Sequence, residues 1–271
     1  MDLVGWQRGR MELVHKGRVA YGEGPREVTV LAYFWGAADF WRVECAIRET
    51  WLKCGQMKTV IVTDGEREEV KRFAAEFECV EVQVEKGLVA GSLGSMSADC
   101  NGKLVGRFST EYVLVVQDDG FPLRAGLGEF LGKWDFIGAP SIRDLFLPRL
   151  AARVLNHWTM NGGFSLRSRR ICELAAKYWK AKYQAWGECN AVSEDTFYTQ
   201  TLLRNEGAYR RAVRLPENRE ALKFSYDAIV KFDVKELPFG FHRASSFEEL
   251  TRMFELGLAK RSLAISAKGA E

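Results

Sequence analysis

Residues 113–121 read VLVVQDDGF. Four apolar residues run straight into Gln117, Asp118, Asp119 and Gly120, so a strand that is apolar on both faces ends on two adjacent carboxylates. Such a strand suits an open α/β sheet covered by helices on both sides, and sheets of that kind bind ligands beyond the carboxyl ends of their strands. Carboxylates at that place are poor core filler, because an unpaired buried charge is strongly disfavoured. They can hold a hard divalent cation, which takes oxygen ligands and in turn binds phosphate oxygens. A solvated Asp-Asp-Gly turn accounts for the same residues equally well when they are taken alone.

The chain leading up to this strand has a regular order. VTVLAYF (28–34) reads as a buried strand, residues 39–54 as an amphipathic helix and KTVIVTD (58–64) as a second strand ending on Asp64. Residues 66–77 form a helix that is acidic at its start, as the helix dipole prefers, and CVEVQVE (79–85) alternates as a half-buried third strand. Strand, helix, strand, helix, strand opens a doubly wound α/β sheet. Residues 1–24, with five glycines and closed by Pro25, read as an extension or a hairpin. Residues 86–101, rich in Gly, Ser and Asp, read as a loop, with a short helix in KLVGRFST before the strand that carries the two Asp. The fold expected is a single α/β domain over 25–245, with a central mixed, mostly parallel sheet flanked by helices.

Downstream, WDFIGAP (134–140) is a short strand and turn, followed by a long connection over 141–160. TMNGGFSLRS is a strand interrupted by Gly162 and Gly163, and 168–184 is a long basic helix. SEDTFYTQTLLRNEG (193–207) has Ser193 before two acids and Gly207 in the C′ position, the marks of a capped helix. YRRAVRLP returns as a strand, VKELPFGFH ends the domain at His242, and 246–271 reads as a helix with a frayed tail.

Composition excludes several classes. With 39 basic and 36 acidic residues the formal charge is only +3, too balanced for a nucleic-acid surface. No G-x-G-x-x-G follows the first strand and no Walker A sequence is present, which removes the common dinucleotide and ATPase readings. Six cysteines lie at scattered positions without C-x-x-C or zinc spacing, as in a reducing compartment. No stretch approaches the ~20 apolar residues of a membrane span. The chain therefore reads as cytoplasmic, with a Golgi-type lumenal enzyme lacking its anchor as the alternative.

Six motifs now stand in order: QDDGF, WDFIGAP, NGGFSLRS, ED-x-F, KFSYD and FGFH. Together they resemble glycosyltransferases of the GT-A fold, and most closely a glycosyltransferase-like family known only as a domain of unknown function. The resemblance runs over roughly 28–242. It implies transfer of a sugar from a nucleotide-sugar donor, a UDP-sugar first, to a hydroxyl acceptor such as a glycan, with inversion and a divalent metal, Mn2+ or Mg2+. In the GT-A pattern the last Asp of a D-x-D-like motif binds the metal, which falls on Asp119, and Asp118 faces the ribose or the donor sugar. Gln117 stands where strict D-x-D has its first Asp. His242 matches the C-terminal His that completes such a metal site, and neutral imidazole suits Mn-type ions.

The acidic motif assigns a general base to Asp195, with Glu194 as second choice, and a positioned base typically contributes ~10²–10⁴ in rate. Acids at a helix start are otherwise ordinary dipole complements. Gly162 and Gly163 let backbone approach a ligand, or mark a β-bulge, and Asn161 can bond sugar hydroxyls. Lys103 and Arg107 are the candidates for diphosphate contacts, Asp64 for the nucleobase, and Trp134, Trp158 and Phe164 for the acceptor's apolar face. Two rivals remain. A sugar-phosphate nucleotidyltransferase calls for a basic, Gly-rich loop after the first strand, and FWGAADFW has one Gly and no basic residue. A non-catalytic nucleotide-sugar-binding module would have less reason to keep both Asp119 and Asp195.

Overall fold

A computed structural model describes residues 2–16, 19–36, 39–89, 92–140, 160–182, 193–202, 213–228 and 234–254. Among them are α1 (Leu3–Lys16), β1 (Val28–Phe34), α2 (Phe40–Cys54), β2 (Thr59–Thr63), α3 (Glu68–Glu76), β3 (Val80–Val84), α4 (Leu93–Gly102) and β4 (Tyr112–Val116). β5 (Phe136–Pro140), β6 (Met160–Ser168), α5 (Arg169–Lys182), α6 (Glu194–Thr196), α7 (Asn218–Phe224), β7 (Ser225–Tyr226), β8 (Gly240–Phe241) and α8 (Ala244–Phe254) complete the order. The architecture is α/β, as the sequence order requires. Six strands pair in the order β3-β2-β1-β4-β6-β5, the first four mutually parallel and β6 antiparallel to both its neighbours.

Strand alternation divides the core. On β1 and β4, Val30, Ala32, Phe34, Leu114 and Val116 face a cluster with Val43, Ile47, Trp51 and Phe73 of α2 and α3. Leu31, Tyr33, Val113 and Val115 face the other side, against Met96 and Cys100 of α4 and Ile171 and Tyr178 of α5. Both faces are covered, so the central strands are apolar throughout, while the outer β3 is half-buried without the regular alternation its sequence suggested, Val84 being exposed and Gln83 half-buried. β2 lies on one side of β1 and β4 on the other, so the strand order reverses between β1 and β4. Crevices in open α/β sheets form at such a reversal, beyond the carboxyl ends of the strands. Gln117 leaves β4 at that edge.

Several local readings need correction. Residues 86–101 are not all loop, because α4 occupies 93–102. Its buried face includes Ser95, Ser97, Asp99 and Asn101 beside Met96 and Cys100, so the apolar periodicity that marks a helix is missing. Ser92 caps it, its Oγ accepting from the Ser95 amide at 3.3 Å. KLVGRFST yields only a 3-10 turn, Leu104–Gly106. The N-terminal segment contains a helix rather than a hairpin: Leu3, Trp6, Gln7 and Met11 lie on one buried face, and Gly5 and Gly9 are accommodated within it.

Around the acidic motif, α6 is a single turn continued by a π-helical turn, Phe197–Thr201. Ser193 caps no backbone amide, and its hydroxyl bonds Thr196 Oγ1 at 3.0 Å instead. Residues 213–216, from the expected YRRAVRLP strand, are irregular, with the Asp135 amide bonded to the Arg214 carbonyl at 2.8 Å. Residues 209–212, the connection over 141–159, His157, Trp158, Cys189, Gly207 and the tail from 255 lie outside the described residues. No described helix is long and apolar enough to cross a membrane.

Candidate active site

β4 delivers the acidic pair through a tight turn. Gln117 and Gly120 exchange both backbone hydrogen bonds at 3.0 Å, which leaves Asp118 and Asp119 at the corner. Gly120 is packed hard: a Cβ there would lie 3.0 Å from His242 Cδ2 and 3.2 Å from Phe164 Cβ. Phe121, fully buried against Phe241 at 4.8 Å between ring centroids, anchors the chain beyond the turn. The two carboxylates have different surroundings. Asp118 is held by Arg42 of α2 at 2.9 Å, and its carbonyl accepts from the Gln7 amide of α1 at 2.6 Å. Burial and the neighbouring Asp119 raise the pKa of the Asp118 carboxyl, against the pull of Arg42. Asp119 points the other way, with Oδ1 3.7 Å from His242 Nε2.

His242 follows β8 and is nearly buried. Its Nε2 also lies 3.0 Å from Gln117 Oε1, a contact between residues 125 positions apart in the chain. Asp119, Gln117 and His242 thus converge on one point at the carboxyl edge of β4. The Arg243 amide donates to the Asp119 carbonyl at 2.7 Å, and to do so Arg243 takes a φ of 79°. That is left-handed backbone, which an L side chain seldom adopts without compensating contacts.

β6 supplies the floor. Gly138 pairs with Ser165 but Pro140 pairs with Met160, so the strand bulges through Asn161, Gly162 and Gly163. The bulge sends the two glycines toward different neighbours. A Cβ on Gly163 would collide with His242 Nε2 and Gln117 Oε1, and one on Gly162 with the carboxylate of Glu194 and the guanidinium of Arg167. The room that glycine leaves is therefore filled by protein side chains. Asn161 closes the bulge, its Oδ1 accepting from the Gly163 amide at 2.8 Å while its Nδ2 donates to Asp227 Oδ2 at 3.1 Å.

On the Gly162 side, Glu194 is buried and accepts from the Ser97 hydroxyl of α4 at 3.0 Å. Burial first, and then the charge of Asp195, raise its pKa, while Arg167 opposes them. Arg167 is itself fully buried, its guanidinium 5.0 Å from the Phe136 ring centroid and 4.7 Å from that of Tyr198. Asp195 is half-buried. Its Oδ1 accepts from the Thr196 amide at 2.6 Å, and its Oδ2 makes no hydrogen bond among the described residues.

Gln117, Asp118, Asp119, Asn161, Gly162, Gly163, Glu194 and His242 are thus joined in one neighbourhood, with Asp195 next to Glu194. Asp64 ends the second strand along, where it takes the Gly36 amide at 2.9 Å and the Arg67 guanidinium at 2.9 Å. Burial works against its ionisation, but the Gly36 amide and Arg67 outweigh it and keep the carboxyl below its usual range. Lys103 and Arg107 are engaged on the β3 side: Lys103 pairs with Glu85 at 2.9 Å, and Arg107 binds Glu85 at 2.7 Å as well as Asp99. Phe164 is core, stacked on Phe224 at 5.1 Å, so it offers no face to an acceptor, and Trp134 is half-buried in the same cluster.

Sequence reasoning missed Gln7, Arg42, Ser97, Arg167 and Asp227. Ser97 sat in an apparent loop, Gln7 in an apparent extension, and Asp227 had only its place in KFSYD to mark it.

No three His, Cys, Asp or Glu side chains converge closely enough to hold a metal among the described residues. The donor set at the edge of β4 is one carboxylate, one imidazole and one amide oxygen, which suits a hard-to-borderline divalent ion whose remaining positions are filled by phosphate or water oxygens. The buried Nδ1 of His242 makes no hydrogen bond among the described residues.

The sequence model of the family described as "Protein of unknown function (DUF5672)" matches residues 96–242, a span holding the acidic turn, the glycine bulge, the Glu194-Asp195 pair and His242. No curated protein matches the chain. Among solved structures, the apo-form glycosyltransferase GlyE of Streptococcus pneumoniae TIGR4 is similar, with a TM-score of 0.50 and 12% identity over 80% of this chain and 54% of that one. A mannosyltransferase, PcManGT from Pyrobaculum calidifontis in complex with GDP-Man and Mn2+, has a TM-score of 0.45 and 15% identity over 79% of this chain and 62% of that one. The chain spans less than two thirds of either, and at these identities the likeness is one of fold.

Proposed function

The chain belongs to the family described as "Protein of unknown function (DUF5672)", and we propose that it is a glycosyltransferase that moves a sugar from a nucleotide-sugar donor to a hydroxyl acceptor. One observation carries this reading. Asp119, Gln117 and His242, brought from distant parts of the chain, meet at the switch point of an α/β sheet, where such folds bind ligands. Asp119 and His242 would hold a divalent cation, Mn2+ or Mg2+, with the Gln117 oxygen beside them. When bound, such an ion neutralises charge on a departing diphosphate.

In the proposed reaction the acceptor oxygen attacks the anomeric carbon as the bond from that carbon to the diphosphate oxygen breaks, with inversion. Asp195 takes the acceptor's proton on its unengaged Oδ2, and the diphosphate leaves with the bonding electron pair. Glu194 is the second candidate for the base; its burial and its bond from Ser97 suit a carboxyl that shapes the site's charge. Asp118, neutralised by Arg42, stands beside the donor rather than on the cation. UDP is the first nucleotide to test. Lys103 and Arg107 would have to leave Glu85 to reach a diphosphate, and Asp64 would have to keep its bonds to Arg67 while meeting a base edge.

Donor hydrolysis and UDP binding, each with and without Mn2+, test the reading. Asp119→Ala is expected to abolish metal-dependent nucleotide binding. Asp195→Asn is expected to lower turnover by ~10²-fold or more with donor affinity intact, as for a group acting only in the chemical step. Glu194→Gln is expected to lower it less. Unchanged metal-dependent UDP affinity in Asp119→Ala sinks the site assignment, and normal turnover in Asp195→Asn ends the base assignment.

A further inference from the structure

Asp227 directly follows β7 and is 4% exposed. Its Oδ2 accepts from Asn161 Nδ2 at 3.1 Å, faces Arg243 Nε at 3.4 Å and stands 3.7 Å from His242 Nδ1. It therefore touches the glycine bulge and both residues that follow β8. We propose that Asp227 is a positioning residue for His242: it keeps the ring proton on Nδ1, so that Nε2 presents a lone pair toward Asp119 and Gln117. The inference rests on the metal-binding reading of the site and adds to it a residue that never touches the cation.

Neutral imidazole carries one N–H and one lone pair, and the two nitrogens exchange these roles between tautomers. Each ring nitrogen stands 3.7 Å from a carboxylate, Nδ1 from Asp227 and Nε2 from Asp119, but the Asp227 side chain is 5% exposed and that of Asp119 30%, so a bare Nδ1 would set its lone pair against the less screened charge. With the proton on Nδ1, the same carboxylate faces an N–H that makes no hydrogen bond among the described residues. At 3.7 Å the contact is longer than a hydrogen bond, and the broad second torsion of a histidine ring lets a small rotation close it. The 3.0 Å contact of Nε2 with Gln117 Oε1 is a hydrogen bond when Nε2 carries the proton; with the proton on Nδ1 the amide turns end for end and donates to Nε2, and its oxygen returns to the site only when a cation takes the Nε2 lone pair. Histidines that ligate metals ordinarily donate their second N–H to a carboxylate, a carbonyl or water, and losing that partner typically weakens metal affinity ~10–100-fold.

The test begins without metal. Nitrogen-15 NMR of the neutral imidazoles distinguishes the two tautomers, and comparison with His242→Ala assigns the signal. The wild type is expected to show the Nδ1–H form, and Asp227→Asn to lose that preference. Mn2+ titration followed by electron paramagnetic resonance is expected to show ~10–100-fold weaker binding in Asp227→Asn. Adding Asp227→Asn to His242→Ala is expected to cost nothing further, because the carboxylate acts through the ring. An Nε2–H tautomer in the wild type overturns the proposal, as does unchanged Mn2+ affinity in a folded Asp227→Asn. If Asp227→Asn does not fold, the wild-type tautomer decides. A wild type that binds no Mn2+ defeats the metal reading instead, and the tautomer then still tells whether Asp227 orients the ring.

Discussion

At the scale of single residues, the glycine pair shows how a correct motif can carry an incomplete explanation. Gly162 and Gly163 mark the strand irregularity in the sequence, and the structure has a bulge there. The reason for glycine is the packing of side chains from elsewhere: His242 and Gln117 on Gly163, Glu194 and Arg167 on Gly162. No local pattern announces those neighbours. Gly163→Ala is therefore expected to displace His242 and Gln117 and to abolish metal-dependent nucleotide binding, read by titrating Mn2+ and UDP. Gly9→Ala, in an exposed part of α1 where a Cβ meets nothing within 4 Å, is the control. It is expected to leave binding alone and to raise stability by roughly 0.5–1 kcal/mol, the usual helical advantage of Ala over Gly.

At the scale of elements, α1, α4 and α7 are helices that the sequence reading did not find, and the first two touch the candidate site. Helix α4 places Met96 at 3.8 Å from the Gln117 amide and Ser97 on Glu194, so consecutive residues serve the two halves of the site. Helix α1 lies outside the family match at 96–242, yet its Trp6 packs on Phe121 and Phe247, and its Gln7 is wholly buried against the acidic turn. Polar residues on a buried helical face break the apolar stripe by which a helix is read from sequence. Gln7→Ala would leave the Asp118 carbonyl without its 2.6 Å donor. The expected loss is about 1–3 kcal/mol, measured as a lower urea midpoint at unchanged slope. An unshifted midpoint would mean that α1 does not brace the turn.

At the scale of the whole molecule, charge is organised into separate clusters, and their protonation acts in opposite directions. Burial opposes ionisation of Glu85, but Lys103, the Gly87 amide and Arg107 outweigh it and bring its folded pKa from 4.5 to about 2. Its contribution to stability is complete above the unfolded value of 4.5 and is lost as the pH falls toward about 2. Glu85→Gln is thus expected to flatten the stability profile across that acid window, seen in melting temperature against pH. Glu194 has the reverse sign: its raised folded pKa adds stability at low pH that is lost as the pH rises through the folded value.

The strands and helices from 28 to 85 were legible from sequence because each buries a regular apolar pattern, with period two or 3.6, that is written locally. The six motifs, with the acidic turn at the end of β4, could be read because they are short and contiguous, and most residues of the candidate site lie within them. Tertiary structure alone decided which of them meet. It set the strand order that brings β6 beside β4, the contact of His242 with Gln117 across 125 positions, and the entry of Gln7, Arg42, Ser97, Arg167 and Asp227. Those contacts depend on where helices dock and how a bulge turns two glycines, and neither leaves a periodic trace in the chain. Burial of polar groups obliges them to find partners, and the fold, not the neighbouring sequence, supplies those partners.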